Sequence, residues 1–475
     1  DLKFEVDIKD GSLCIEGKNS YTLYYNMMLF FANGGGACYI VSVGSYKDAL
    51  KKDSMITGLG KLTLEQEITL VAIPEAVNLS SSEEFKDIQQ QMLSHCGNTM
   101  KNRFALLDIY PKANEKTKIE DQVNFFCDNI GSSFLSYGAA YFPWLNTSIV
   151  GERDLKGDMF TWTDNAYIHR TQLDAGFAEI VESLFVEEFE IKENVVKNGH
   201  TFKLEEVVEG DIYADSDTEK TNVIGRIESI KDIKEAGNEK VIKKNVKVVW
   251  LFPNNVDKQA LHQALYNVSS VYKQAIKGVL KNLNLFPPSA AMAGIYTMVD
   301  NSRGVWKAPA NVTLNYVGST VEDIDDEQQA ELNVPIHGKA VNVIRLFRGE
   351  GIKVWGARTL DGNSLDWRYV NVRRTLLFLE ESIKNAARAY VFEPNDAGTW
   401  INMKCMIDSF LRSVWKRGGL AGATPEDAFE VHIGLGDTMT AEDILDGIMR
   451  ITVLVAVTHP AEFIEITFQQ QAQKS

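Results

Sequence analysis

Three consecutive glycines, Gly34-Gly35-Gly36, are a residue type and spacing that could hold a phosphate. Backbone amides without side chains can cradle a phosphate. A phosphate loop, however, runs from strand to glycines to helix. Here the run follows a helix-like segment at 21–31 and precedes the apolar, β-branched stretch 37–43, so the order is reversed. Ligands of open α/β sheets gather at the carboxyl ends of strands, whereas these glycines would sit at a strand's N-terminal end. The expectation is a tight lead-in to a central strand, with glycine supplying φ > 0 and close backbone approach.

The other reactive residue types point the same way. Gly338-Lys339 lacks the upstream glycine and the following Ser or Thr of a phosphate loop. His95 and Cys96 are adjacent, so on a helix they project apart and make no nucleophile–base pair. The seven histidines are dispersed, without metal-ligand spacing. Glu322, Asp323, Asp325, Asp326 and Glu327 lack the glycine and spacing of a calcium loop and read as a solvated acidic turn. Zincin, nucleophile-elbow and kinase motifs are missing. The sequence therefore assigns no catalytic residue, no cofactor and no metal. Five cysteines without a C-x-x-C pair read as free thiols.

Two surface features remain. Lys404, Arg412 and Lys416 share one side of a helix expected over about 399–415, with Asp408 between them and Arg417 following. In a chain of formal net charge -16 this stripe either docks an acidic partner or is a solvated face opposite Ile407, Phe410, Leu411 and Val414. The second feature is Glu462, Phe463, Ile464, Glu465, Ile466, Thr467 and Phe468, which alternate so that Ile464, Ile466 and Phe468 share a face. Such a strand pairs with its own sheet or with a neighbour's exposed edge.

The elements that position these features read as α/β. Strands are expected at 68–73, 104–110 and 137–142. Ser81 or Ser82 is placed to cap a helix running to about Ser94, and another helix covers 119–129. From 147 the chain becomes charge-rich, with β-like pieces at 207–208 and 221–230. Asn254 or Asn255 is placed to cap one long helix whose stripe is Leu261, Leu265, Val268, Tyr272, Ile276, Val279 and Leu283. Strands at 340–347 and 352–355, helices through 372–390 and 399–415, and strand-like runs at 450–457 and 462–468 complete the pattern.

The fold class is α/β and multi-domain: a mainly parallel core, an inserted outward β-rich domain and an α+β C-terminal domain. The regions are 1–146, 147–249, 250–331 and 332–475, with a terminal arm from about 460. A length of 475 residues requires several domains. The acidic balance disfavours a general nucleic-acid binder. No apolar run approaches the roughly 20 residues that cross a bilayer, and no signal peptide is visible.

Four ordered blocks resemble the sheath proteins of contractile phage tails and related injection systems, with phage-tail-like particle sheaths the nearest in pattern. The first is Phe30 to Gly36. The second runs from Pro287-Pro288-Ser289-Ala290 to Arg303-Gly304-Val305-Trp306-Lys307-Ala308-Pro309-Ala310-Asn311. The third is Val341-Asn342-Val343-Ile344-Arg345 with Val354-Trp355-Gly356-Ala357-Arg358-Thr359 and Trp367 to Arg374. The fourth is Gly434 to Thr440 with His459-Pro460-Ala461-Glu462-Phe463-Ile464.

The resemblance implies a structural subunit and no enzyme. Hexameric rings would stack into a helical sleeve that drives an inner tube through a target envelope. Partners would be further copies, the inner tube protein, and baseplate and terminal cap proteins, without direct nucleic-acid contact or membrane insertion. Assembly would occur in the bacterial cytoplasm, into a phage tail or a released or anchored particle. Lys404, Arg412, Lys416 and Arg417 become tube-contact candidates, and residues 462–468 a strand donated to a neighbour. Gly34, Gly35, Gly36, Trp306, Lys307 and Pro309 are family-signature residues. The family's opening arm, with a Thr-Pro-Gly-Val-Tyr-like motif, is not matched in this chain, which starts at Asp1. The rival reading is a flavodoxin-like nucleotide- or flavin-binding enzyme.

Overall fold

The apolar runs Phe104–Leu107 and Gly138–Phe142 are buried along their whole length, as strands covered on both faces must be. In the computed structural model, residues 2–17, 21–45, 48–110, 119–197, 200–214, 223–234, 240–250, 257–333 and 338–462 are described. The fold is mixed and multi-domain, 43% helical and 24% strand. The chain divides into two units, residues 1–20 with 150–284 and residues 21–149 with 285–475.

The larger unit holds a six-stranded sheet in the order Val312–Thr313, Gly351–Trp355, Val341–Phe347, Gly138–Phe142, Phe104–Leu107, Leu70–Ala72. The last four run parallel, and the two outer pairings at the other end are antiparallel. Helix Ser82–Ser94 starts at Ser81, whose hydroxyl accepts from the Glu84 amide at 3.2 Å. It contributes Phe85, Ile88, Met92 and Leu93 to the core that Val123, Phe126 and Cys127 of helix Ile119–Asn129 also line. Helix Ser289–Arg303 is buried over most of its length. Its first residue donates from its amide (2.9 Å) and hydroxyl (2.5 Å) to the buried carboxylate of Asp108.

The expected central strand at 37–43 is not a strand. Residues 37–45 are irregular, and Tyr39 and Ile40 are more than half exposed. β-Branched residues form a strand only where an edge is available to pair with, and among the described residues this run has no such partner. The glycines instead end helix Leu23–Ala32. Gly34 takes φ +96°, its amide donates to Phe31 O, and the Gly35 amide donates to Phe30 O. That is the Schellman arrangement. The helix end then closes on Ser289–Arg303, where a Cβ on Gly294 would meet Phe30 O at 2.4 Å. The buried Asn33 amide completes the junction, accepting from Asn315 N at 2.8 Å.

The smaller unit packs Phe4, Val6 and Ile8 against Phe160, Trp162, Phe177, Tyr272 and Ile276. It also carries an antiparallel sheet in the order Ile212–Ala214, Val223–Lys234, Val241–Trp250, Val186–Ile191. Residues 207–208 lie outside any strand, with Val207 buried. The expected single long helix is two, Lys258–Val268 and Ser270–Leu283. Ser269 breaks it, because its hydroxyl accepts from the Tyr272 amide at 3.1 Å and starts a new helix. Asn254 and Asn255 lie outside the described residues, and Asp257 makes the first cap. Residues 4–17 and both helices thus pack in one unit with residues 150–250.

Gly34→Ala adds a Cβ 2.6 Å from Met298 Cβ at a positive φ, whereas the nearest atom to a Cβ on Gly36 is 3.6 Å away. Urea unfolding should show a loss of about 1–3 kcal/mol for Gly34→Ala and less than about 0.5 kcal/mol for Gly36→Ala. Equal effects would contradict the cap. Burial pushes the Asp108 carboxyl up to about 7, against two opposing hydrogen bonds from Ser289. The folded state therefore holds this proton more tightly than the unfolded chain. Its contribution to stability is full below about pH 4 and is lost as pH rises through 7. Asp108→Asn, which mimics the protonated group, should gain on the order of 2–4 kcal/mol relative to the parent between pH 5 and pH 8. A pH-independent difference in melting temperature would refute this.

Candidate interaction surface

The C-terminal region is organised by two helices, Val370–Ala387 and Ala397–Lys416, and an antiparallel pair, Phe429–His432 with Thr452–Val455. Asp396 starts the second helix by accepting from the Thr399 amide at 3.0 Å. Met403, Ile407, Leu411 and Val414, spaced four, four and three residues apart, are its buried face and join Leu379, Leu420, Phe429 and Val431 in one core. Lys404, Arg412, Lys416 and Arg417 are exposed. Arg417 differs from the other three, because its guanidinium lies 5.2 Å from the ring of Trp306. Among the described residues the antiparallel pair has no third strand.

The signature Trp306 has a structural role. It packs against the C-terminal core at a site opened by two glycines. A Cβ on Gly304 would lie 2.5 Å from its ring, and one on Gly419 would lie 2.8 Å away. The Asn371 amide donates to Trp306 O and to Thr458 O, both at 3.0 Å. Lys307 donates to Ala308 O at 2.9 Å, and burial with the nearby Arg303 charge holds its pKa below the usual lysine value. Pro309 is buried.

Glu462 faces its own chain. The Arg358 guanidinium grips both carboxylate oxygens, with Nε at 2.9 and 3.1 Å and Nη2 at 2.6 Å. Tyr369 Oη adds a third donor at 3.2 Å. Arg358 is 3% exposed and spends Nη1 on Asn333 O at 2.8 Å. Its backbone is held by the buried Asn342, which accepts from Arg358 N at 2.7 Å and donates to Arg358 O and Ala140 O. Phe463, Ile464, Glu465, Ile466, Thr467 and Phe468 lie outside the described residues.

The structure brings Trp306 and Arg417 together, and Glu462 with Arg358, but leaves Gly34–Gly36 in a separate junction with Ser289–Arg303. Sequence reasoning missed Arg358, Asn342 and Asn371 as organising residues. They sat inside the quoted blocks, but a single chain carries no signal that pairs residues 104 apart.

The suspected reactive groups are occupied structurally. His95 is drawn down to about 4 by burial and the Arg103 charge. Burial pushes the Cys96 thiol up to about 12. Asp325 caps helix Asp326–Asn333 by exchanging hydrogen bonds with Gln328, and Asp326 pairs with Arg345 at 2.7 Å, so the acidic turn is a helix start. Among the described residues no group of three or more His, Cys, Asp or Glu is placed to hold a metal. No helix among them is long and apolar enough to cross a membrane.

Comparison with known proteins agrees with this architecture. Residues 363–471 match the phage tail sheath C-terminal domain family. A tail sheath protein of Vibrio phage KVP40 is 25% identical over 134 residues, 28% of this chain and 20% of that protein. The chain thus matches about a fifth of that curated relative's length. The anti-feeding prophage baseplate structure aligns over 95% of this chain and 81% of its own, with 25% identity and a TM-score of 0.56. The sheath complex of the extracellular contractile injection system PVC, in its contracted state, aligns over 95% and 81%, with 26% identity and a TM-score of 0.55. Residues 363–471 thus match a phage tail sheath domain, and the chain is similar over 95% of its length to a contractile sheath complex.

Proposed function

We propose that this chain is the repeating subunit of a contractile sheath that surrounds an inner tube and drives it through a target envelope. The observation that carries the reading is the alignment of 95% of the chain with a sheath complex in its contracted state. The similarity to a six-fold baseplate structure supports ring assembly and baseplate association. Nothing in the comparisons supports the flavodoxin-like enzyme reading. Energy for contraction comes from a metastable packing that converts to a lower state, with small differences summed over many copies.

On this reading the inserted unit lies outward and the C-terminal region faces the tube. Lys404, Arg412 and Lys416 meet an acidic tube surface, and Arg417 supports them from its place against Trp306. The strand at 463–468 leaves its own chain and pairs beside a neighbour's Phe429–His432 and Thr452–Val455. A terminal cap closes the sleeve. The particle assembles in the bacterial cytoplasm, as a phage tail or an injection device.

The purified protein with both terminal arms intact should form tubes visible by electron microscopy, and a truncation after Glu462 should remain folded without forming them. Monodisperse monomers of the full chain at high concentration would defeat the reading, and normal tubes from the truncation would remove strand donation from it. Arg412→Glu combined with Lys416→Glu should weaken co-assembly with the tube protein more at about 0.05 M than at about 0.5 M salt, because exposed charges are screened. Unchanged co-assembly would reject the basic face.

A further inference from the structure

The residues that lead to the terminal arm do not hang free. Leu420 and Val457 form a bridge, and the Asn371 amide holds Thr458 O at 3.0 Å. The His459 ring lies edge-on to Tyr369, with centroids 6.1 Å apart. Glu462 then closes on Arg358 and Tyr369. Four successive ties carry the chain from the C-terminal strand pair to the end of the six-stranded sheet.

The last tie differs in kind from the others. Arg358 is nearly fully buried, and the Glu462 side chain is 17% exposed, so the ion pair is largely screened from water. Two-pronged guanidinium–carboxylate geometry fixes direction as well as distance. The route continues without a gap. Arg358 is held at both its amide and its carbonyl by Asn342, and Asn342 reaches Ala140 O in the neighbouring strand at 3.1 Å. A pull on the chain beyond 462 would pass through a side-chain pair into two parallel strands of the core.

We infer that Arg358 is the anchor of the C-terminal arm. It fixes the point and direction at which the chain leaves its own fold, and so presents the following residues to a second copy of this chain. The inference rests on the strand donation proposed above. The physical gain is effective concentration: an arm with a fixed root samples a small volume around its acceptor, and one with a loose root samples a large one. The anchor also routes load from an arm into the sheet rather than into the two-stranded pair. Arg358 and Glu462 are positioning residues, and the pairing itself is made by the residues beyond them.

The test uses the full chain with Arg358→Met, which keeps side-chain length without the charge and lets Glu462 turn to water, and separately with Glu462→Gln. Amide hydrogen exchange and electron microscopy are read on the same samples. Exchange across 457–462 should rise about tenfold or more while Val341–Phe347 keeps its protection, and sleeve yield should fall about tenfold. Sleeves equal to the parent's, with unchanged exchange at 457–462, would overturn the anchor. Equal loss of protection in Val341–Phe347 would also overturn it, because the pair would then be an ordinary part of the core. A parent chain that forms no sleeves would sink the sheath reading instead, and the anchor would then be judged on the exchange pattern alone.

Discussion

One buried side-chain amide in the larger unit ties a strand of the six-stranded sheet to the segment that follows its neighbour. Asn342 is completely enclosed, and it spends its carbonyl on Arg358 N and its amino group on Arg358 O and Ala140 O. A side chain unable to accept from Arg358 N and donate to Arg358 O would weaken the hold on that backbone, at roughly 1–3 kcal/mol for each buried group left unpaired. The close approach also requires Gly356, where a Cβ would lie 2.9 Å from the Asn342 oxygen. Because Asn342 fixes residue 358, it fixes the guanidinium that meets Glu462. It also sets the neighbouring crossing, where Ala357 O accepts from Val370 N as helix Val370–Ala387 begins. From that helix Arg374 reaches back to Asp300 at 2.9 and 2.5 Å, tying the C-terminal region to Ser289–Arg303.

Local pattern was enough wherever an element is set by its own residues. Ser81 with Glu83 and Glu84 marks a helix start because the cap and the first-turn charges lie within a few residues. The stretch 119–129 and the buried strands at 104–107 and 138–142 were legible for the same reason. Pattern failed where the outcome depends on a distant partner. The run at 37–43 has strand composition but pairs with no strand among the described residues. Ser269 interrupts an apolar stripe that periodicity alone reads as continuous, because its hydroxyl competes for the backbone. The role of Trp306 depended on Gly304, Asn371 and Gly419, which no spacing rule connects. The grip of Arg358 on Glu462 was equally hidden, although both residues lay in recognised blocks.

The groups that first invited an enzymatic reading are explained by packing. The glycine run ends a helix and lets it close on another. Asp108 receives the first turn of Ser289–Arg303, and His95 accepts from a buried Arg103 that also holds Leu62 O and Glu65 O. These buried polar residues serve joints between elements.

The central claim is that the chain beyond Glu462 serves a neighbouring copy while Glu462 itself stays in its own fold. A helical reconstruction of assembled particles, at a resolution that traces side chains, tests it directly. The account predicts density for residues 463–468 of one protomer beside Phe429–His432 or Thr452–Val455 of another, with the Arg358–Glu462 pair intact within each chain. Residues 463–468 folded back onto their own protomer, or Glu462 carried away from Arg358 in the assembled sleeve, would contradict it.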